Sequence, residues 1–459
     1  MSSRLCALAI GIAATGCLGK PSVPTETHDA PLGDIGYDVA SDAYQYTCTP
    51  IPSDFKIRVA PTIANVDRRD GSSAEDIVIW GRVTSSSAPL AYLIPGRTAF
   101  DPICYDRAFE FSTSQLLPLD VWVGEVTGDA YPDLAMYGRQ TVAAGPQHEI
   151  RVFPGEATGT VSQTPLVRTF PTGSPFDNWG GFDDDTQEPV YMAATTLTGA
   201  TPGSELFLGG LYNSKAAILV SPGPSLGSTM VASDTTNSAL IGGDPVQDVF
   251  EFASGNPSQL VLVSQGFVTR VQSNGVRVSG NSQYAIKNSS PLASTQRRAV
   301  RFSREPLTGT GGTLFGVTLD GAAGYTIIQV MGTGSEPTVM APLATTVIDP
   351  YATVDMALGN LDTDPKLELV AITDDTPSPP LLRAYTNLMI NGADPVGYGF
   401  IHEATLPADY TILAVGDFDG LSSTPPQIVV FPAVVGKLPL CYQLVGTCFK
   451  ACGSSTCVP

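Results

Sequence analysis

VGEVTGDAYPDLAMYG, Val123 to Gly138, sets oxygen-bearing side chains at alternate places, Glu125, Thr127 and Asp129, adds Asp133 four residues later, and then runs into an apolar segment. In a tight turn, alternate side chains converge on one point, and Ca²⁺ accepts about six to eight oxygens in flexible geometry. The stretch therefore reads as a cation loop between two strands, provided that it recurs. It does. ALGNLDTDPKLELVAIT, Ala357 to Thr373, sets Asn360, Asp362, Asp364 and Glu368 at the same first, third, fifth and ninth places. IANVDRRDGSSAEDIVIWG, Ile63 to Gly81, offers Asn65, Asp67, Asp70 and Asp76 with a small insertion. LAVGDFDGLSSTPPQIVVF, Leu413 to Phe431, offers Asp417 and Asp419 but has Gln427 where the last acid should stand.

Fainter copies begin near Thr196, Glu251 and Pro306, keeping the strand and turn rhythm while losing most of the ligands. The first loop places fall at 65, 125, 196, 251, 306, 360 and 417, so that successive gaps are 60, 71, 55, 55, 54 and 57 residues. Near-constant spacing of this kind marks a repeat architecture, in which each unit buries its faces against its neighbours. A short strand, an acidic turn, an apolar strand such as DIVIWG or DLAMYG and further strand-like segments predict an all-β, seven-bladed β-propeller of four-stranded antiparallel blades.

The pattern resembles the FG-GAP repeats of integrin α-subunits and the related VCBS repeats of bacterial surface proteins, most closely in VGEVTGDAYPDL, LGNLDTDPKLEL and VGDFDG. RVFPGEATGTV, Arg151 to Val161, looks like the strand and turn that close such a repeat. The resemblance spans roughly residues 46 to 445. It implies structural Ca²⁺ in the loops between first and second strands, with Glu125, Thr127, Asp129 and Asp133 and with Asn360, Asp362, Asp364 and Glu368 as ligand sets. The copies starting at Asn65 and Asp417 match less well.

Composition agrees with a β-rich exported chain. Charged residues make up 15% of the 459 residues, beside 46 Gly and 38 Pro, a mixture that favours short strands and turns over helices. A net charge of −20 opposes a phosphate backbone, so nucleic acid is an unsuitable partner. Met1 to Gly16 has one basic residue, Arg4, then an apolar run from Leu5 to Ala14 too short to span a bilayer, and reads as a secretory signal. Ala14-Thr15-Gly16-Cys17 resembles the lipobox of bacterial lipoproteins, which implies a lipidated Cys17 and a place on the outer membrane or cell surface. Residues 17–45, rich in Pro, Asp, Thr and Gly beyond Cys17, read as a flexible tether, and 446–459 as a Cys-rich tail.

Six cysteines remain for the mature domain: Cys48, Cys104, Cys441, Cys448, Cys452 and Cys457. An even number in an exported chain favours disulfides, and the gaps among the last four lack the paired knuckles of most zinc sites. Spacing does not give the connectivity. A ring must also close, so Tyr46 to Pro52 is expected to meet Leu438 to Leu444 in one blade, with the nearby cysteines locking that closure.

Catalytic signals are poor. The chain has three histidines, His28, His148 and His402, and lacks the metalloprotease, nucleophile-elbow, P-loop and dinucleotide motifs. Asp183, Asp184 and Asp185 read as a solvated charge run. The expectation is a monomeric, non-enzymatic binding or adhesion module for an extracellular or envelope protein or glycan. The alternative is a propeller lyase or hydrolase acting on extracellular polysaccharide or another polymer. The longest connection, Thr169 to Pro189, holds Phe176, Trp179, Phe182 and Asp183, aromatic anchors with a polar rim of the kind binding surfaces use.

Overall fold

The structure is a computed structural model. It describes residues 48–57, 61–69, 73–85, 89–110, 116–129, 131–142, 145–170, 191–195, 205–212, 215–221, 231–233, 246–253, 259–264, 267–271, 283–285, 301–303, 313–320, 324–333, 336–339, 352–359, 361, 368–374, 378–391, 394–421 and 423–458. Among the described residues the secondary structure is all β. Strands follow one another as antiparallel meanders of four, each paired to the next in chain order.

The second sheet shows the plan: Leu116–Gly124, Asp133–Val142, Gly145–Phe153 and Leu166–Phe170 lie side by side in sequence order. The same order recurs from Tyr191–Thr195, from Val246–Ala253, from Arg301–Ser303, from Ala352–Gly359 and from Tyr410–Gly416. In the first sheet the innermost strand is interrupted. Phe55–Ile57 and Thr62–Ala64 pair with successive parts of Asp76–Val83, which is followed by Pro89–Ile94 and Arg107–Glu110.

The first sheet is buried on both faces, and strand periodicity explains how. Along Asp76–Val83, side chains alternate across the sheet. Val78 and Trp80 enter one cluster with Leu93, Phe109, Val121, Val123, Leu134, Met136 and Phe153, which joins the first sheet to the second. Ile77 and Ile79 enter another with Phe55, Tyr92, Ile94, Ala414, Phe418, Val429 and Phe431, which joins the first sheet to the last. A third cluster, including Val370, Ile372, Leu382, Leu413, Ile428 and Tyr442, joins the sixth to the last. At roughly 25 cal/mol per Å² of apolar surface removed from water, these shared clusters supply the main cohesion between sheets.

Innermost strands touch in succession: Thr62–Ala64 against Leu116–Gly124, that strand against Tyr191–Thr195, and Ala352–Gly359 against Tyr410–Gly416, which returns to Thr62–Ala64. Polar groups reinforce these contacts. Thr62 Oγ1 donates to the Val121 carbonyl at 3.0 Å, and the Leu413 amide donates to Asp355 Oδ2 at 2.9 Å. Meander sheets packed face to face, with the last against the first, make a propeller-type fold.

Closure differs from the expectation that the two chain ends share a sheet. Thr49–Pro50 pairs with Cys104–Tyr105, and the last sheet is completed by its own chain, with Cys448–Ala451 as its outermost strand. The boundary at residue 445 thus falls inside a hairpin. Cys48 bonds to Cys104, Cys441 to Cys452 and Cys448 to Cys457, so no disulfide joins the two ends. The seam is instead made by packing and by loop backbone. The Glu75 amide donates to the Asp417 carbonyl at 2.8 Å and the Arg97 amide to the Phe418 carbonyl at 2.8 Å, while Phe100 stacks on Phe418 with ring centroids 5.0 Å apart. A four-stranded sheet with two apolar faces needs a neighbour on each side, and the last sheet already has four strands of its own. Face packing satisfies that need without an exchanged strand.

Candidate functional site: the acidic turns

The acidic turns lie between the first and second strands of their sheets. Asp133, fully buried, is the first residue of its strand. Its Oδ2 accepts the amides of Val126 and Thr127, both at 2.7 Å, and its Oδ1 accepts the Gly155 amide at 2.7 Å and the Thr127 hydroxyl at 3.3 Å. Four donors fill the lone-pair sites of one carboxylate. Asp133 therefore ties the turn on one side to the end of the third strand on the other. Gly155 comes close enough that a Cβ there would meet the Tyr131 Cβ at 2.5 Å, so the clamp requires glycine.

The first copy repeats the device. Asp76 Oδ2 accepts the Val66 and Asp67 amides at 2.7 and 2.6 Å, and Oδ1 accepts the Gly96 amide at 2.7 Å. In copy six the Leu361 amide donates to Glu368 Oε2 at 2.6 Å. In the last copy Gln427 Oε1 accepts the Phe418 and Asp419 amides at 2.6 and 3.0 Å, and its Nε2 donates to the Pro425 carbonyl at 3.0 Å. The residue that breaks the acidic pattern does the same work as a neutral amide. In the fainter copies the second strands begin at Glu205, Gln259 and Thr313.

In these four copies the ninth place is thus a clamp on backbone amides, and several other loop oxygens are also engaged. Glu125 Oε1 accepts the Gly128 amide, and Asp129 Oδ1 accepts the Tyr131 amide at 2.9 Å. Asp419 Oδ1 accepts the Leu421 amide at 2.9 Å, and Thr424 donates its hydroxyl to both Asp419 oxygens at 2.8 Å. At the seam the Asp417 amide donates to Glu75 Oε2 at 2.8 Å.

In the first copy the pairing is ionic. Arg69 Nε lies 2.8 and 3.0 Å from the two Asp67 oxygens, and its Nη2 bonds both Asp67 and Asp106. The clamped amides align Val66 with Val126 and Asp67 with Thr127, which sets Arg69 at the fifth place, opposite Asp129. Asp70, read from sequence as the fifth-place ligand, is one residue beyond it.

Burial governs the titration of these groups. It pushes Asp133 up to about 6 against the pull of its backbone donors, with Glu125 adding to the rise. Asp76 is raised well above the ordinary carboxylate range, again chiefly by burial. Asp417 is raised by burial and then by the neighbouring Asp419. For Arg69 burial works against the charge, and the Asp67 and Asp106 carboxylates outweigh it, so its pKa is raised.

Asp417 Oδ1 is buried without a hydrogen bond, so the described turns are not uniformly closed to a cation. Among the described residues the one group of three His, Cys, Asp or Glu ligand atoms within 4.8 Å of one another is Cys48, Asp101 and Cys104, whose sulfurs are joined as a disulfide. Asp133, the nearest match to a ninth-place ligand, has its acceptor capacity filled by amides and a hydroxyl. Asp70, Asn360, Asp362, Asp364, Cys17 and the aromatic connection with Phe176, Trp179, Phe182 and Asp183 lie outside the described residues.

No protein-family model matches the chain, and no curated protein matches it. Among solved structures, the extracellular domains 1-2 of Drosophila Semaphorin 1a are similar at 8% identity with a TM-score of 0.46, over 88% of this chain and 88% of that one. BBS1N, in a complex with ARL6DN, is similar at 11% identity with a TM-score of 0.43, over 86% of this chain and 99% of that one. A fructofuranosidase from Schwanniomyces occidentalis is similar at 8% identity with a TM-score of 0.32, over 88% of this chain and 95% of that one. At TM-scores below 0.5 these likenesses bear no weight on fold or function.

Proposed function

We propose that the chain is an exported, lipid-anchored binding module without catalytic activity, built on seven propeller blades and taking an extracellular or envelope protein or glycan. The observation that carries this reading is the commitment of the described turn acids. Asp76, Asp133, Asp67 and Asp419 hold backbone amides, a hydroxyl or a guanidinium, so the acidity of the turns serves the scaffold rather than acid and base chemistry. Three disulfides are compatible with an oxidising compartment. Calcium belongs to the proposal in copy six, where Asn360, Asp362 and Asp364 supply oxygens at alternate places beside the Glu368 clamp. The connection from Thr169 to Pro189, with Trp179 at its centre, is the proposed ligand surface.

Three experiments test the reading. Retention of envelope proteins or arrayed glycans by the purified chain should weaken by about 2 kcal/mol or more in Trp179→Ala with an unchanged melting midpoint. Turnover of an extracellular polysaccharide by the native chain would replace the binding reading with an enzymatic one. Detergent partitioning addresses location: the native chain should enter the detergent phase and Cys17→Ser should not. Equal aqueous partition of both would remove the anchor.

A further inference from the structure

The first turn differs from those of copies two and six in the sign of charge at its fifth place. Copies two and six have Asp129 and Asp364 there, and copy one has Arg69. The alignment does not depend on the insertion that follows. It is fixed by the clamp, since Asp76 holds the amides of Val66 and Asp67 as Asp133 holds those of Val126 and Thr127. The Arg69 side chain folds back over its own turn. It is 9% exposed and lies between Asp67, at 0%, and Asp106, at 8%. Asp106 reaches the turn from the loop before the fourth strand, and its amide is held by the Leu93 carbonyl at 2.9 Å. The other cation facing this cluster is Arg107, whose Nε is 3.6 Å from Asp106 Oδ2 and whose Nη1 donates to the Val161 carbonyl of the next sheet at 3.2 Å.

We propose that Arg69 is a built-in cation: its guanidinium occupies the charge-balancing place between Asp67 and Asp106, closes the first turn to divalent ions, and masks a latent Ca²⁺ site that its removal would open. Two buried carboxylates facing each other demand a counter-charge. A planar guanidinium supplies it in fixed geometry, with several donors, and without dependence on free ion. Ca²⁺ would supply the same charge, but only where oxygen ligands stand at the places Arg69 now fills. Arg69→Asp gives copy one the same first, third and fifth places as copy six, Asn-x-Asp-x-Asp. The inference rests on the turn alignment, and it stands whichever ligand the module takes.

The test compares calcium binding and melting in chelator and in millimolar calcium for the native chain, Arg69→Asp, Arg69→Gln and Asp67→Asn. Arg69→Asp should bind one more calcium ion than the native chain and show a larger rise in melting midpoint on adding calcium. Arg69→Gln, which removes the cation without adding an acid, should melt lower in chelator and recover part of the loss with calcium. This second variant decides the matter where Arg69→Asp does not fold without the ion. Asp67→Asn should leave the number of ions bound by the native scaffold unchanged. A drop in that number, or calcium responses of both Arg69 variants no larger than native, would overturn the proposal. Because each readout is a difference from native at copy one, loss of calcium at copy six would leave these outcomes intact while removing calcium from the functional reading.

Discussion

In the second copy the turn is held by an anion, and in the last copy by an amide. Asp133 accepts three backbone amides and a hydroxyl, whereas Gln427 accepts two amides and turns its own NH₂ toward the Pro425 carbonyl. The extra arm in the second copy reaches Gly155 at the end of the third strand. In the last copy the register that pairs Leu134 with Phe153 pairs Ile428 with Tyr442, so Leu444 stands at the place of Gly155. What both turns share is an acceptor at the first residue of the second strand, aimed at the amides of the second and third loop places. Negative charge is therefore one way of building the clamp, and the geometry of acceptance is what recurs.

This contrast orders the expected effects of mutation. Asp133→Ala strands the amides of Val126, Thr127 and Gly155 in a buried turn and should cost about 3 kcal/mol or more, read as a drop in the denaturant midpoint. Gly155→Ala comes next at about 2 kcal/mol, since the new Cβ meets the Tyr131 Cβ at 2.5 Å and the Pro132 carbonyl oxygen at 2.7 Å. Gln427→Ala strands two amides that face a neutral acceptor and should cost less than Asp133→Ala, about 1–2 kcal/mol. Gly446→Ala meets no neighbour and bears only the strain of a φ of 64°, about 1 kcal/mol. Equal costs at residues 133 and 427 would break the comparison.

A pH difference sharpens it further. Burial raises Asp133 from 3.8 to about 6, so between these values the folded chain holds a proton that the unfolded chain has released. The stability that this contributes is complete below pH about 3.8 and is lost as the pH rises to about 6. Asp76 and Asp417 shift in the same direction, so the readout is the change in slope caused by Asp133→Asn. That variant should lose the Asp133 share of the decline, and Gln427→Ala should leave the slope as it is.

Much of the fold was legible in the sequence because the second strands are apolar on both faces. DIVIWG and DLAMYG announce strands covered on two sides, and their regular spacing announces the repeat. The purpose of the ninth-place residue was less legible. An acid after a turn reads equally as an ion ligand and as an amide acceptor, and only the position of Gly96 or Gly155 across the sheet separates the two. Gln427 was read as a lost ligand for the same reason. Arg69 was overlooked because the eye aligns acid with acid, which favours Asp70, while the clamp aligns backbone with backbone. Ring closure was misread because the seam depends on Glu75 meeting Asp417, residues far apart in the chain with no pattern in common.

The turns are closed by side-chain acceptors on backbone amides. Hydrogen exchange at Val126, Thr127 and Gly155, measured in excess chelator and in millimolar calcium, tests this closure directly. These three amides should be protected alike in both conditions and lose protection together in Asp133→Ala. Protection that disappears in chelator while the native chain stays folded would contradict it, and would return the turn of copy two to the ion.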